Sequence, residues 1–190
     1  MNFLRILPVA ALLAASASVQ AGNFSYDYLE GSFGELDRDA DAIYLGGAMS
    51  LDTQFGLLGS LGIIDYPGGD GMVLRGGGLF HKSVQQNLDL FGTLELVYSD
   101  FEYGPVGPFG QKVSDDDLGL AAAVGLRFEL QDNFHLEGKL TLTEVDPFDD
   151  GLGLSANARY YMDKQWSAAL GVASDAEFDG LFLNLRYNLK

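Results

Sequence analysis

The sequence contains no cysteine. That excludes disulfide frameworks, thiol nucleophiles and thiolate metal sites together. Histidine is scarce, at two residues, and tryptophan occurs once. Basic residues are also few, with 11 lysines and arginines against 27 acidic residues and a formal charge of −16. A nucleic-acid partner needs a basic face, so this balance excludes one. After Ala21 there is no run of 18 apolar residues, so no transmembrane helix is expected.

The chain does have an N-terminal export signature. Arg5 lies in a short basic region, an apolar stretch covers residues 6–17, and Val19-Gln20-Ala21 precedes Gly22. This pattern predicts a Sec-type signal peptide over residues 1–21 and one domain over 22–190. An exported chain without a helical anchor can still cross a membrane if its strands close into a barrel.

The segment Leu118–Thr143 argues for that outcome most directly. Its even positions run Leu118, Leu120, Ala122, Val124, Leu126, Phe128 and Leu130, then Phe134, Leu136, Gly138, Leu140 and Leu142. Its odd positions are small, polar or charged, among them Arg127, Glu129, His135, Glu137 and Lys139. A period of two marks strands with one apolar face. At ~3.3 Å per residue each strand reaches ~40 Å, enough for a tilted path through a bilayer. A turn at 131–133 places Arg127 opposite Glu137 and Glu129 opposite His135. The slipped alternative would face Glu129 with Glu137 and Arg127 with Lys139, and like charges in opposition disfavour it.

Ten strands are predicted, at 24–34, 42–51, 55–65, 72–82, 88–101, 118–130, 134–145, 151–162, 166–174 and 181–189, with eight as the alternative if 166–174 is irregular. Links at 52–54, 83–87, 131–133 and 163–165 are short. Those at 35–41, 66–71, 102–117, 146–150 and 175–180 are longer and rich in Gly, Pro and Asp. An even strand number with short turns at one end and longer loops at the other describes an antiparallel, up-and-down transmembrane β-barrel of the outer-membrane kind. Phe55, Phe80, Phe134, Tyr160, Trp166 and Tyr187 fall near the short-turn end, where an interfacial aromatic girdle belongs. A soluble barrel would carry many Lys and Glu at mid-strand on one face. Here mid-strand charges are sparse and share a face with Gly, Ala, Ser and Thr.

The inward face is expected to carry a lumen charge network of Arg75, Arg127, Lys139, Arg159 and Arg186 against Glu30, Glu95, Glu129 and Glu137. Paired, these charges fill a narrow barrel; left open, they form an ion-selecting constriction. An enzyme is not expected, because His81 and His135 both adjoin short turns and no nucleophile, phosphate-loop or metalloprotease motif occurs.

Most acidic residues collect in the longer links and at strand ends. Asp37, Asp39, Asp41, Asp115, Asp116, Asp117, Asp146, Asp149 and Asp150 are candidate oxygen ligands for weakly bound Ca²⁺ or Mg²⁺, shared with lipopolysaccharide phosphates. Asp37-x-Asp39-x-Asp41 opens like an EF-hand loop, but Ala42 stands at the Gly position and Ala48 at the Glu position. No other cofactor is implied.

Ser25-Tyr26-x-Tyr28-x-Glu30-Gly31, Asp39-Ala40-Asp41, Gly46-Gly47, Trp166 and the terminal LFLNLRYNLK resemble small Gram-negative outer-membrane β-barrel proteins, distantly OmpX/OmpA-like. The resemblance implies an outer-membrane location, insertion by the barrel assembly machinery, contact with outer-membrane lipid and lipopolysaccharide, and a monomeric barrel. It carries no catalytic residue. A structural or surface-interaction role is the expected function, with a narrow channel for ions or small solutes as the alternative.

Overall fold

The computed structural model describes residues 24–37, 39–106, 111–145, 148–174 and 179–189. The expected signal segment, residues 1–21, lies outside them. Ten antiparallel strands follow in chain order: β1 (Tyr28–Leu36), β2 (Ala40–Ser50), β3 (Phe55–Tyr66), β4 (Gly69–Gln85), β5 (Leu88–Val106), β6 (Gln111–Gln131), β7 (Phe134–Val145), β8 (Phe148–Tyr161), β9 (Trp166–Ser174) and β10 (Asp179–Asn188). Each pairs with its sequence neighbours, and β10 pairs with β1 from Tyr28↔Asn188 to Leu36↔Gly180, so the sheet closes into a barrel. Ten strands are therefore present, and 166–174 is a regular member of the sheet.

The two-residue alternation decides which way each side chain points. Leu94, Leu140, Leu154 and Leu183 stand on the outside, whereas Ala121, Val97, Arg127 and Arg186 are buried within. The outer face is a continuous apolar band. A globular core cannot explain it, because these leucines have no protein neighbour to cover them; lipid can. At the short-turn end the girdle residues pair across strands, with Phe55 and Phe80 ring centroids 5.3 Å apart and Trp166 and Tyr187 4.9 Å apart.

The β6–β7 register is the one that opposed charges favour, with Arg127↔Glu137 and Glu129↔His135. Its turn is tighter than expected. The register shifts between Glu129 and Gln131, Gln131 pairs with Phe134, and only Asp132-Asn133 turns the chain. A bulge at Leu130 thus absorbs the extra residue.

The four-residue turns at 51–54 and 162–165 share one solution. Asp52 Oδ1 accepts from the backbone N–H of Gln54 (2.7 Å) and Phe55 (2.8 Å), and Asp163 Oδ1 accepts from those of Gln165 and Trp166, both 2.7 Å. The sequence Asp-x-Gln-aromatic is common to both. Hydrogen bonds from the Gln54 and then the Phe55 backbone hold the Asp52 carboxyl below its ordinary range.

The ends of the strands correct the sequence reading. Residues 24–27 are not strand, and β1 starts at Tyr28. The expected loops 35–41, 66–71 and 102–117 are largely strand, leaving links as short as Pro67-Gly68, where Gly68 takes the positive φ of 101° that such a turn demands. Connection length therefore does not distinguish the two ends. Strand length does: β5 and β6 have 19 and 21 residues, against 9 in β1 and 9 in β9. The β5–β6 hairpin stands beyond β7, whose pairing with β6 ends at Leu120↔Glu144, because its own ladder continues through Tyr103↔Val113.

Candidate functional site

The lumen has three levels, each built from inward-facing residues. Nearest the short turns, Tyr26, Ala48, Leu79 and Phe91 cluster with Phe24, Tyr28 and Leu58. The segment 24–27 supplies Tyr26, which is buried and stacked on His81 with centroids 3.8 Å apart. Phe24 meets the His135 ring edge-on at 5.1 Å. The N-terminal segment therefore lies in this mouth of the barrel, where a strand had been expected.

At the other end Leu36, Ala42, Ile64, Val73, Val97, Phe101 and Val145 pack together with Tyr44, Tyr66 and Phe182. This outer seal depends on glycine. Phe182 is paired in register with Gly34, Tyr44 with Gly62, and Phe101 with Gly71. In each pair the ring lies where the glycine's Cβ would be, 2.3 Å from a ring carbon. Phe91 and Gly125 repeat the arrangement at the inner seal. Glycine opposite an inward aromatic lets the ring lie flat on the neighbouring strand and across the bore.

Between the seals lies the charged level. Arg127 Nε donates to Glu137 Oε2 at 2.6 Å, and its guanidinium sits 4.5 Å above the Tyr26 ring and 5.3 Å from that of Phe91. Glu30 Oε2 accepts from Arg159 Nη2 at 2.5 Å and from Arg186 Nε at 2.8 Å, and Arg159 Nη1 also donates to the Ser167 hydroxyl. Arg186 lies 3.7 Å from the centre of the Tyr28 ring. The guanidiniums of Arg127, Arg159 and Arg186 are all buried. A buried charge is tolerable only when paired and hydrogen-bonded, and these are.

The network is not complete in the form expected from sequence. Glu95 accepts from the Thr93 hydroxyl at 2.7 Å, with no cation at ion-pair distance among the described residues. Arg75 and Lys139 likewise meet no carboxylate among them. Glu129 stands opposite His135 near the short turns, away from the other charges' level. Arg75, Glu95 and Lys139 instead line a chamber of about 400 Å³ that also reaches Glu30, Arg127 and Glu137. The buried Thr143 hydroxyl lines it too and has no hydrogen-bond partner among the described residues.

The acidic residues are rearranged by the extended strands. Asp115, Asp116 and Asp117 lie in β6, not in a loop, and alternate between its faces: Asp116 opposes Asp100, while Asp115 and Asp117 oppose Phe101 and Ser99. Asp37 and Asp39 stay in the β1–β2 link, where Asp39 has a φ of 59° and Asp37 Oδ1 accepts from the Asp179 N–H at 3.2 Å. Asp146 lies outside the described residues, as do the side chains of Asp149 and Asp150. Among the described residues no group of three or more acidic or histidine side chains is placed to hold a metal ion. The structure assembles a different set. Glu35, Asp41, Asp65, Asp70 and Glu102 are register partners in sequence across β1 to β5, forming one lateral row on the outer face. Loop spacing gave no hint of this row; the shared outward parity of these five positions does.

No protein-family model matches the chain, and no curated protein matches it. Among solved structures, the NanC porin is similar with a TM-score of 0.51 and 8% identity, over 85% of this chain and 100% of that one. The KdgM porin gives a TM-score of 0.48 and 9% identity over 86% and 99%. Ail, the attachment invasion locus protein of Yersinia pestis, gives 0.44 and 16% over 85% and 97%. At these identities the likeness bears on fold alone. At that level the resemblance to small outer-membrane proteins holds: the chain has the fold of an outer-membrane β-barrel.

Proposed function

We propose that this chain is a small, monomeric, integral outer-membrane barrel with a side-chain-filled lumen, acting through its exposed end in a structural or surface-interaction role. The observation that carries this reading is the bore itself: Glu30 is held by Arg159 and Arg186, Arg127 holds Glu137, and apolar seals lie on either side. No reaction is assigned to it. The protruding β5–β6 hairpin and the acidic row support an outward orientation for that end, with both chain ends in the periplasm. Outer-membrane lipid and lipopolysaccharide are the partners that this rim meets, divalent cations screening its carboxylates. Export by the Sec pathway and insertion by the barrel assembly machinery go with that location.

The alternative is a narrow channel for ions or small solutes, and the chamber beside Arg75 and Lys139 favours it. Planar-bilayer recording separates the two. The closed-lumen reading expects little steady current from the wild type and a rise in Glu137→Leu and in Arg127→Leu/Glu137→Leu. The single change strands a buried cation, so it should destabilise the barrel more than the double change. A steady, ion-selective wild-type current would establish the channel. An epitope inserted within 107–110 should be stained on intact cells, and one at 86–87 should not; the reverse would invert the orientation.

A further inference from the structure

We propose that residues 24–26 form a withdrawable plug, seated through Tyr26 in a cleft of His81, Asp89 and Arg127, which shuts the short-turn mouth of the lumen. The inference rests on the closed-lumen reading and deepens it, by assigning closure at that end to a gate rather than to the wall.

The segment lies inside the barrel without belonging to its sheet. Among the described residues, Phe24, Ser25 and Tyr26 make no backbone–backbone hydrogen bond to any strand. The first such bond comes one residue later, where the Leu189 N–H donates to the Asp27 carbonyl at 2.8 Å; Asp27 Oδ1 also accepts from the Ser50 N–H at 2.8 Å. Asp27 is thus a fixed hinge, and what precedes it is held through side chains. In the inner seal Ala48, Leu58, Leu79 and Phe91 stand on β2 to β5 and cannot leave without breaking a ladder, whereas Phe24 and Tyr26 can. The outer-seal rings of Tyr44, Phe101 and Phe182 all belong to strands. Among the described residues, the removable part of the closure is therefore at the short-turn end.

The seat fits Tyr26 well by its ring and poorly by its polar edge. The ring stacks on His81 with centroids 3.8 Å apart and planes at 18°, and the Arg127 guanidinium lies 4.5 Å over it. Arg127 Nη1 also donates to the Ser25 carbonyl, at 3.4 Å. The Tyr26 hydroxyl donates to Asp89 Oδ2 at 3.4 Å, well beyond the ~2.7 Å usual for such a bond. Arg127 is the register partner of Asp89 but gives its Nε to Glu137. Asp89 is only 2% exposed, yet its Oδ1 has no hydrogen-bond partner among the described residues, and neither does the buried His81 Nε2. Buried polar atoms left unpaired cost free energy, and water would satisfy both once the segment withdrew. The seated position thus sets stacking and apolar burial against two unmet polar groups, the condition for an element with two positions. Withdrawal would open onto the chamber, because Leu79, Phe91 and Arg127, the neighbours of Tyr26, also line it.

The chain has no cysteine, so one engineered thiol reports on one place. Ser60 lines the chamber and Ala42 lies in the outer seal, and Ser60→Cys and Ala42→Cys report on them separately. Each is made with residues 24–26 intact and with Phe24→Gly/Tyr26→Gly, in the whole barrel folded in alkyl maltoside micelles. Modification by a trimethylammonium methanethiosulfonate reagent is followed by mass, and circular dichroism with heat-modifiable gel mobility reports folding. Ser60→Cys should react slowly with the segment intact and at least tenfold faster without the two rings, while Ala42→Cys stays slow in both. His81→Ala weakens the seat without removing the plug, so it should raise the Ser60→Cys rate severalfold; no change there overturns the proposal. Slow reaction of Ser60→Cys in both backgrounds also overturns it, leaving a lumen closed by its wall. So does acceleration at both positions, which would mark a barrel loosened as a whole. Failure of Phe24→Gly/Tyr26→Gly to fold overturns it too, because a plug that can withdraw is not needed to hold the wall. Fast reaction of Ser60→Cys with the segment intact would instead refute the closed-lumen reading itself, and the plug with it.

Discussion

Gly62→Ala is the sharpest probe of how this barrel is filled. A Cβ at position 62 would stand 2.3 Å from Tyr44 Cε1 and 2.5 Å from Cδ1. Carbon atoms in contact sit ~3.5–4.0 Å apart, so the ring would have to lift by more than ~1 Å. It has little room to do so, because Phe182 lies on its flank at 6.3 Å and both belong to the outer seal. Overpacking of this kind costs roughly 1–3 kcal/mol. Gly78→Ala is the matched control. Gly78 faces outward, an added Cβ there meets nothing within 4 Å, and its backbone is not in the left-handed region. That change should stabilise by about 0.4–1 kcal/mol, because it restricts the unfolded chain. The two substitutions add the same methyl group on adjacent strands and should move stability in opposite directions. Urea titration of the barrel refolded in phosphatidylcholine vesicles, followed by the fluorescence of Trp166, reads both as shifts in midpoint at constant slope. In a Tyr44→Ala background the cost of Gly62→Ala should largely vanish. If Gly62→Ala is neutral or stabilising in the wild type, the aromatic rings do not rest on glycine floors and the account of the seal fails.

The lipid face and a turn supply further tests. Leu94→Arg places a charge near the middle of the apolar band and should cost about 2–4 kcal/mol in the same titration. Thr93→Arg, pointing inward beside Glu95, should cost less; equal losses would show the two faces to be misassigned. For the Asp52 turn, the folded carboxyl lies below its unfolded value of about 3.9, so its stabilisation is complete above that pH and fades as pH falls through the depressed value. Comparison with Asp52→Asn from pH 7 to pH 2 should show a stability gap that closes on acidification; a gap that widened would contradict the assigned hydrogen bonds.

Periodicity made the sheet legible. Alternation over Leu118–Thr143 fixed which side chains face lipid, and opposed charges fixed the Arg127↔Glu137 register, because both are properties of one strand and its immediate neighbour. The strand number followed from the same pattern. Strand ends were less legible: residues 102–117 are rich in Gly, Pro and Asp, which composition reads as loop, yet cross-strand pairing carries the ladder through Asp115–Asp117. The lumen was the least legible part. Glu30 meets Arg159 and Arg186 across the β1–β10 seam and the bore, at separations of 129 and 156 residues. No local pattern encodes such a meeting, nor does one reveal that Arg75 and Lys139 line the same chamber as Glu95 with no ion pair to it among the described residues. The position of Tyr26, tucked under Arg127, was hidden for a related reason: residues 24–27 alternate well enough to read as strand.

The glycine–aromatic pairs also bear on the order of assembly. Tyr44 and Gly62 belong to the β2–β3 hairpin, Gly71 and Phe101 to β4–β5, and Phe91 and Gly125 to β5–β6. Each can form as soon as its own hairpin does, so these rings can settle while the sheet is still open. Gly34 and Phe182 join the first strand to the last. Their contact cannot exist until the chain's two ends meet, when the seam is zipped and the final ring is laid across the mouth. The barrel therefore carries most of its stopper within growing hairpins and gains the last piece only on closure, so an incompletely closed intermediate would be recognisable by a Phe182 ring still accessible from the lumen side.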